Sequence, residues 1–233
     1  MRKPFPTPIP TADGSPPVAP AAPADRALAP AASPRVVFRR TRWAALVFVA
    51  VWLPAYASVY GWTNFLHLCD VTVALTVVGL WWGSPLVLSS QASLAMVVNL
   101  IWAADVAARL SLGRHLLGGT EYMWDARYPL FVRLLSLFHV VLPALLVAAV
   151  RRTGYDRRGF LLAGGIVVVL FSISRLIAAP TDNLNFVHRD PIFHRSYGPP
   201  IVHLALTIAV FIGAVVWPTH RLLAWRFARK VVR

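Results

Sequence analysis

The sequence is poor in cysteine and in charge. It has one cysteine, Cys69, and only nine acidic residues among 233. A single cysteine excludes an intramolecular disulfide framework and any C-x-x-C metal or redox motif. Charged residues make up 14% of the chain and hydrophobic residues 58%, whereas soluble domains have about 25% and 45–50%. The chain is therefore too apolar for a soluble domain of its length.

Familiar catalytic motifs are also missing. The sequence contains no phosphate-binding loop, no G-x-S-x-G nucleophile elbow and no H-E-x-x-H zinc motif. The formal charge is +14, but the basic residues flank apolar runs and do not form a patch on a soluble fold, so nucleic acid is not an expected partner.

Six apolar runs are long enough to cross a membrane as helices, because a hydrocarbon core of about 30 Å needs roughly 20 residues. They cover residues 43–61, 64–82, 86–107, 131–150, 160–179 and 200–217. The runs lack the alternation of barrel strands. They predict an all-α fold, a polytopic bundle of six transmembrane helices, with membrane lipids as its surroundings.

Lysine and arginine near the ends of the runs predict the orientation. One face carries thirteen of them and the opposite face six. The thirteen are Arg35, Arg39, Arg40, Arg42, Arg151, Arg152, Arg157, Arg158, Arg221, Arg226, Arg229, Lys230 and Arg233. The positive-inside rule therefore predicts a multi-pass protein of the bacterial inner (cytoplasmic) membrane with cytoplasmic N- and C-termini.

Composition divides the chain into three parts. Residues 1–34 hold ten of the nineteen prolines and many alanines, which predicts a disordered tail. Residues 35–218 form the predicted transmembrane domain. Residues 219–233 form a basic amphipathic tail, expected to lie on the cytoplasmic side and to bind anionic phospholipid of the inner leaflet. The alternative is that these charges only fix the topology.

Ionisable residues inside the runs collect near the opposite, outer face, as do six of the seven histidines. A charged group within lipid costs about 2.5–3.5 kcal/mol on insertion scales, so each needs a partner or a water-filled cavity. We expect one polar layer, with Arg175 paired to Asp70 and Arg109 to Asp105. The candidate binding residues of this layer are Asp70, Asp105, Arg175 and His203.

Polar side chains recur every three residues on three of the runs, which places each set on one helix face. The sets are Asn64, His67 and Asp70; Asn99, Trp102 and Asp105; and Arg133, Ser136 and His139. Pro143 follows the third set and predicts a kink. The faces that carry these sets are expected to point into the bundle.

Two polar loops extend the predicted layer. The first, residues 115–125, supplies Glu121 and Asp125, and the second, residues 181–191, supplies Asn185. These three residues complete the candidate binding set. Each loop is either a solvated cap that closes the bundle or a lid over the polar layer.

Cys69 and His67 are not expected to form a dyad. Residues that are two positions apart on a helix point in directions about 200° apart around its axis. A base for a Cys69 nucleophile would have to come from another run, with His139 or His203 as candidates. The alternative is a small packed hydrophobe. His67, His139 and His203 could together ligate a metal or a b-type haem, or could simply be hydrogen-bonded residues of the bundle. No metal or cofactor is assigned.

Two resemblances add to these inferences. The stretch from Asn99 to Arg158 resembles an uncharacterised family of bacterial multi-span membrane proteins. The L-H-L-C string of residues 66–69, the histidine in the fourth run and the N-L-N-F string of residues 183–186 are similar to the YwaF-like six-span family, whose animal relatives are implicated in acyl transfer to membrane lipids. The resemblance implies Cys69 as nucleophile, with His67 and His139 as catalytic histidines.

Four functions remain open at this point. A membrane-embedded enzyme would perform acyl transfer or hydrolysis on lipid in the outer polar layer. A small-solute transporter would need a polar path through both halves of the bundle, whereas the inner half offers only Ser89, Ser90, Gln91 and Ser93. A haem-based electron carrier would use the histidines. A non-catalytic membrane scaffold would use the tail.

Overall fold

The computed structural model describes residues 38–227. Within this range the regular elements are all helical, which confirms the all-α prediction. The eight α-helices are α1 Arg39–Tyr60, α2 Leu68–Trp82, α3 Pro85–Leu112, α4 Leu130–Leu135, α5 Phe138–Thr153, α6 Gly159–Ile177, α7 Pro200–Phe211 and α8 Trp217–Phe227. The predicted disordered tail, residues 1–34, and the end of the basic tail lie outside the described residues.

Five helical segments are long and apolar enough to cross a membrane: α1, α3, α4 with α5, α6, and α7 with α8. Several such helices in one chain indicate a membrane-embedded, multi-pass protein. The second predicted span is shorter than expected, because α2 has 15 residues and reaches only about 22 Å at 1.5 Å per residue. A sixth crossing therefore stays a prediction.

The hairpin between α2 and α3 follows from three consecutive residues. Gly83 adopts the left-handed conformation with φ of 60°, which suits the residue after a helix C-terminus. Ser84 caps α3 by accepting a hydrogen bond from the Val87 N–H at 3.3 Å, and Pro85 occupies the first turn. The tight turn makes α2 and α3 antiparallel neighbours.

Helix α3 lies at the centre of the bundle. In its most apolar stretch 56% of the residues are buried, against 11% to 39% in the other four long segments. On one side Leu88, Ala92 and Ala95 pack in a core cluster with residues of α1, α2 and α5. On another side Leu94 packs with residues of α6 and α7. In each of the other four long segments more than half of the residues of that stretch are not buried within the bundle.

The fourth predicted span consists of two helices, with a break between α4 and α5 at Ser136 and Leu137. The backbone N–H groups of Ser136, Leu137 and His139 bond three residues back, which is the tighter 3₁₀ pattern. Helix α5 continues through Pro143, and the kink predicted at this proline stays a prediction.

Helix α6 approaches α3 at a position where only glycine fits. A Cβ atom added at Gly159 would lie 2.8 Å from Ser89 Cβ and 2.9 Å from the Ser90 backbone nitrogen. The neighbouring backbone N–H of Asp156 donates to Ser89 Oγ at 2.9 Å. This contact fixes where α6 begins relative to the N-terminal part of α3.

We predict that Gly159→Ala lowers the free energy of unfolding by about 1–3 kcal/mol, because the new methyl group overpacks against backbone. The measurement is thermal or denaturant unfolding of the full chain in detergent. Gly165→Ala is the matched control, since nothing lies within 4 Å of its added Cβ. Equal stability of the two variants would contradict the close approach of α6 to α3.

Candidate functional site: a buried polar cluster

Polar side chains from several segments converge at one end of the bundle. The set, called the Asp70 cluster below, consists of Tyr56, Asn64, Cys69, Asp70, Trp102, Tyr122, Ser136 and His139. They come from α1, the 3₁₀ turn Trp62–Leu66, α2, α3, the loop between α3 and α4, and the α4–α5 junction. Asp70, Ser136 and His139 are almost completely buried. The inward direction predicted for the polar faces of α3 and of the α4–α5 segment is confirmed.

Asp70 has neutral partners and not the predicted arginine. Its carboxylate accepts a hydrogen bond from Asn64 Nδ2 at 2.7 Å and is approached by the Cys69 thiol at 3.9 Å. Arg175 instead donates to the Val187 carbonyl at 3.1 Å and contacts His188. The predicted Arg175–Asp70 pair is therefore wrong, because the second loop supplies closer acceptors for the guanidinium.

Two tyrosines close the cluster from opposite sides. Tyr56 shares a hydrogen bond of 2.5 Å with Ser136 Oγ. The Tyr122 hydroxyl accepts from Trp102 Nε1 at 3.2 Å. Tyr122 lies in the loop after α3, and burial of its ring raises the pKa of the phenol above its ordinary value. The Tyr122 phenol therefore remains neutral near pH 7 and acts as a hydrogen-bonding group.

His139 is fixed by a backbone contact and by stacking. Its Nδ1 lies 2.7 Å from the Ser136 carbonyl oxygen, and its ring stacks on Trp102 with centroids 4.4 Å apart. A carbonyl can only accept, so Nδ1 carries the hydrogen and the neutral ring presents Nε2 as a proton acceptor. The 3₁₀ turn at Ser136 is what brings this carbonyl within reach of the imidazole.

The Cys69 thiol contacts the cluster's carboxyl group, with Sγ 3.9 Å from Asp70 Oδ1. Its side chain packs on the core cluster that contains Tyr56 and Phe138. Tyr56 also interacts electrostatically with Cys69, Asp70 and Tyr122. The arrangement combines a thiol, a carboxyl group, phenols and an imidazole acceptor in a dry environment, where such groups interact strongly.

Asp105 belongs to a separate arrangement that shapes the loop after α3. Its buried carboxylate accepts hydrogen bonds from the backbone N–H groups of Leu116 at 2.6 Å and Leu117 at 2.8 Å. It also bonds Thr120 Oγ1 and lies 2.8 Å from His115 Nδ1. The predicted Arg109–Asp105 pair is wrong, because Arg109 bonds the Gly113 carbonyl and lies over the Trp124 ring.

The loop before α7 is anchored in a similar way. Asn185 accepts from the Leu68 backbone N–H at 2.9 Å and donates to the Leu66 carbonyl and to Ser174 Oγ. His203 lies 3.2 Å from the Phe186 carbonyl through Nε2, and its Nδ1 accepts from the Tyr197 N–H at 3.3 Å. Asn185 therefore caps the start of α2, and His203 holds the loop over α7.

Glu121 and Asp125 make local contacts only. Glu121 accepts from the Gly119 backbone N–H at 2.7 Å. Asp125 pairs with Arg127 at 2.6 Å, and these hydrogen bonds lower the pKa of the Asp125 carboxyl group. Neither side chain contributes a bond to the Asp70 cluster among the contacts of residues 38–227. Both stabilise turns in the loop after α3.

The three histidines considered as metal ligands do not form a site. Across residues 38–227 no group of three or more His, Cys, Asp or Glu side chains could hold a metal ion. Both ring nitrogens of His203 already face backbone groups. His67 lies near enough to His139 for the two rings to interact electrostatically, while His203 serves the second loop.

The sequence alone does not predict a role for either tyrosine of the Asp70 cluster. Tyr56 and Tyr60 are four residues apart in an otherwise apolar helix, and this spacing is a signal for a shared inward face. Tyr122 lies in the first polar loop, where no local pattern distinguishes it. Tyr155 and His220, which contact each other at the other end of the bundle, are not predicted either, because they are far apart in the chain and lie near basic segments.

Comparison with known proteins finds no relative of this chain. No protein-family model, no curated protein and no solved structure matches this chain. The geometry of the described residues is therefore what any functional assignment has to rest on.

We predict that Asp105→Ala loosens the loop after α3, because several N–H and O–H donors lose their shared acceptor. The free energy of unfolding should fall by about 2–3 kcal/mol, and hydrogen exchange should rise across residues 113–120. Asp125→Ala, which removes only an exposed pair in the same loop, is the control and should leave that exchange unchanged. Unaltered hydrogen exchange in both variants would contradict the conclusion that Asp105 holds the loop in place.

Proposed function

We propose that this chain is a six-pass protein of the bacterial cytoplasmic membrane with both termini in the cytoplasm. The 3₁₀ turn Trp62–Leu66 precedes α2. At about 2 Å per residue in the turn and 1.5 Å in the helix, residues 62–82 reach roughly 30 Å. This length supports a sixth crossing. The excess of arginine and lysine near the chain's ends and the α5–α6 loop supports the orientation.

The proposed activity is acyl transfer to, or hydrolysis of, membrane lipid at the Asp70 cluster. The observation that carries it is the convergence of Cys69, Asp70 and His139 with two phenols in one buried cluster. Buried polar groups in a lipid-embedded bundle are costly, and such groups mark functional sites. The cluster would lie near the outer leaflet, where His67 and Asn64 are partly exposed.

In the proposed reaction Cys69 Sγ attacks the carbonyl carbon of a lipid ester while the thiol proton moves to the Asp70 carboxylate. The carbon–oxygen bond of the ester breaks, and the leaving alcohol takes that proton back. The acyl group is then a thioester on Cys69. Water or a second lipid hydroxyl attacks the thioester, His139 Nε2 accepts its proton, and the thiolate recovers a proton from the imidazolium.

The C-terminal helix supports the proposal that anionic phospholipid of the inner leaflet is a partner. Arg221 and Arg226 are exposed, and Trp225 is 81% exposed. Tryptophan and arginine at a helix end are typical of the boundary between lipid and water. Helix α8 also packs into the bundle through Leu223 and Ala224, so the basic residues are held at a fixed position.

The test compares the lipids of cells that lack the protein with those of cells carrying variants. Cys69→Ala should reproduce the deletion because no thioester can form, and His139→Ala should lower the turnover by about a hundredfold, the usual contribution of a general base. Ser58→Ala, an exposed hydroxyl bonded to its own helix, should behave like the unchanged chain. Lipids altered by deletion but not by Cys69→Ala would contradict the proposal.

A further inference from the structure

A hydrophobic groove lies between α1 and α2, near the start of α1 and the end of α2. Its lining consists of Leu46 of α1 and of Val77, Val78, Trp81 and Trp82 of α2. Leu46 is 37% exposed and Trp82 is 58% exposed, so the groove opens on the surface of the bundle. In a membrane-embedded chain a hydrophobic surface of this kind is expected to face lipid.

The groove is too small for a whole hydrophobic ligand. It encloses about 200 Å³, whereas sites that enclose a small molecule have about 300–1,000 Å³. Four residues separate Val77 from Trp81, a length of about 6 Å along the helix axis. An occupant can therefore bury only a short part of a hydrophobic chain here, and the rest of that chain has to continue into lipid.

A guanidinium group lies at one end of this groove. Arg42 precedes Leu46 by about one helical turn on the same face of α1. Its guanidinium carbon lies 5.0 Å from the centre of the Trp81 ring, and Trp43 contacts the same ring edge to face, with centroids 5.1 Å apart. The Trp81 ring is therefore held between two side chains of α1, and it joins the cation to the hydrophobic lining.

This end of the groove fits the boundary between lipid and water. Arg42 is close to the first residue of α1, and Trp81 and Trp82 are the last two residues of α2. Tryptophan and arginine at helix ends are typical of that boundary. The groove therefore runs from the level of the lipid headgroups toward the hydrocarbon core.

The charge of Arg42 has no acidic partner among residues 38–227. Its Nε atom is buried and makes no hydrogen bond within this range. Residues 38–60 and 71–82, which form α1 and most of α2, contain no Asp or Glu. A guanidinium cannot lose its proton, and an unpaired charge beside hydrocarbon is costly. An anion from outside the chain would supply the missing acceptor.

We propose that this groove binds one molecule of an anionic phospholipid, with the phosphate at Arg42 and the upper part of one acyl chain along the hydrophobic lining. The phosphate accepts from the guanidinium, since these two groups form paired, charge-assisted hydrogen bonds. Arg39 and Arg40 are exposed nearby, and their charge favours a lipid with net negative charge over a zwitterionic lipid.

The proposed lipid site is distinct from the features described above. Neither the Asp70 cluster nor α8 contributes a side chain to the lining. The bound lipid therefore goes beyond the proposed acyl chemistry, and the site does not depend on that chemistry.

The first test is native mass spectrometry of the full chain in detergent, titrated with phosphatidylglycerol or with phosphatidylcholine of the same acyl chains. The first phosphatidylglycerol should bind several-fold more tightly than the first phosphatidylcholine. Arg42→Gln should weaken binding of that first phosphatidylglycerol about tenfold, the factor for losing one charge-assisted hydrogen bond.

Arg40→Gln is the matched control for Arg42→Gln. It removes the same charge from the same helix, two residues away and on roughly the opposite side of α1. The affinity should change by at most about twofold, as for an exposed and screened charge. Equal loss of affinity in Arg42→Gln and Arg40→Gln would mean attraction by net charge alone, and would overturn the site.

The second test blocks the groove and leaves Arg42 in place. Leu46→Trp should weaken phosphatidylglycerol binding about tenfold, the factor for roughly two methylene groups kept from burial. Val47→Trp is the control, because Val47 is 63% exposed and does not line the groove. Glycerol phosphate, which has the phosphate but no acyl chain, should not displace the lipid at equal concentration.

Unchanged binding in Leu46→Trp would overturn the proposal, and so would displacement of the lipid by glycerol phosphate, which would leave a simple anion site. Thermal unfolding in lipid-free detergent checks that each variant folds. The unchanged chain gives a measurement that needs no variant, since phosphatidylglycerol should raise its Tm more than phosphatidylcholine does. An equal rise with both lipids would overturn the site. None of these measurements involves lipid turnover at Cys69, so the site and the proposed chemistry can fail independently.

Discussion

Hydrogen bonding of the polar side chains on α3 is the constraint on which the rest of the structure depends. This helix is surrounded by protein on most sides, yet it carries Gln91, Ser93, Asn99, Trp102 and Asp105 inward. In a membrane such groups must find partners within the bundle. Three parts of the chain supply these partners. The loop after α3 bonds Asp105, the Asp70 cluster includes Trp102, and the Tyr155–His220 pair bonds Ser93.

Buried polar side chains at the two ends of the bundle obtain their hydrogen-bond partners in different ways. At one end, two long loops fold back and supply backbone groups to Asp105 and His203, while Asn185 of one loop caps α2. At the other end, a single tyrosine and a single histidine complete a short chain of hydrogen bonds. The loops therefore serve first as caps that satisfy buried polar groups, and the Asp70 cluster lies beneath them without using their acidic residues.

Much of this could be predicted from the sequence, because hydropathy and a spacing of three or four residues depend only on local pattern. The helical class, the α2–α3 hairpin and the inward direction of Asp70, Asp105 and His139 belong to that part. Partner choice could not be predicted. Asp105 and Arg175 bond nearby loop backbone in place of the opposite charges expected for them, and Tyr56 meets Ser136 across 80 positions of the chain. Such contacts depend on loop conformation and helix packing.

The most direct test of the central claim is a double-mutant cycle between Tyr56→Phe and Ser136→Ala, with unfolding measured in detergent. These residues lie on separate segments and share a hydrogen bond of 2.5 Å within the cluster. A cluster assembled from separate segments predicts that the two effects are not additive, with a coupling of about 0.5–3 kcal/mol. Additive effects would mean that the two side chains do not meet, and would contradict the account.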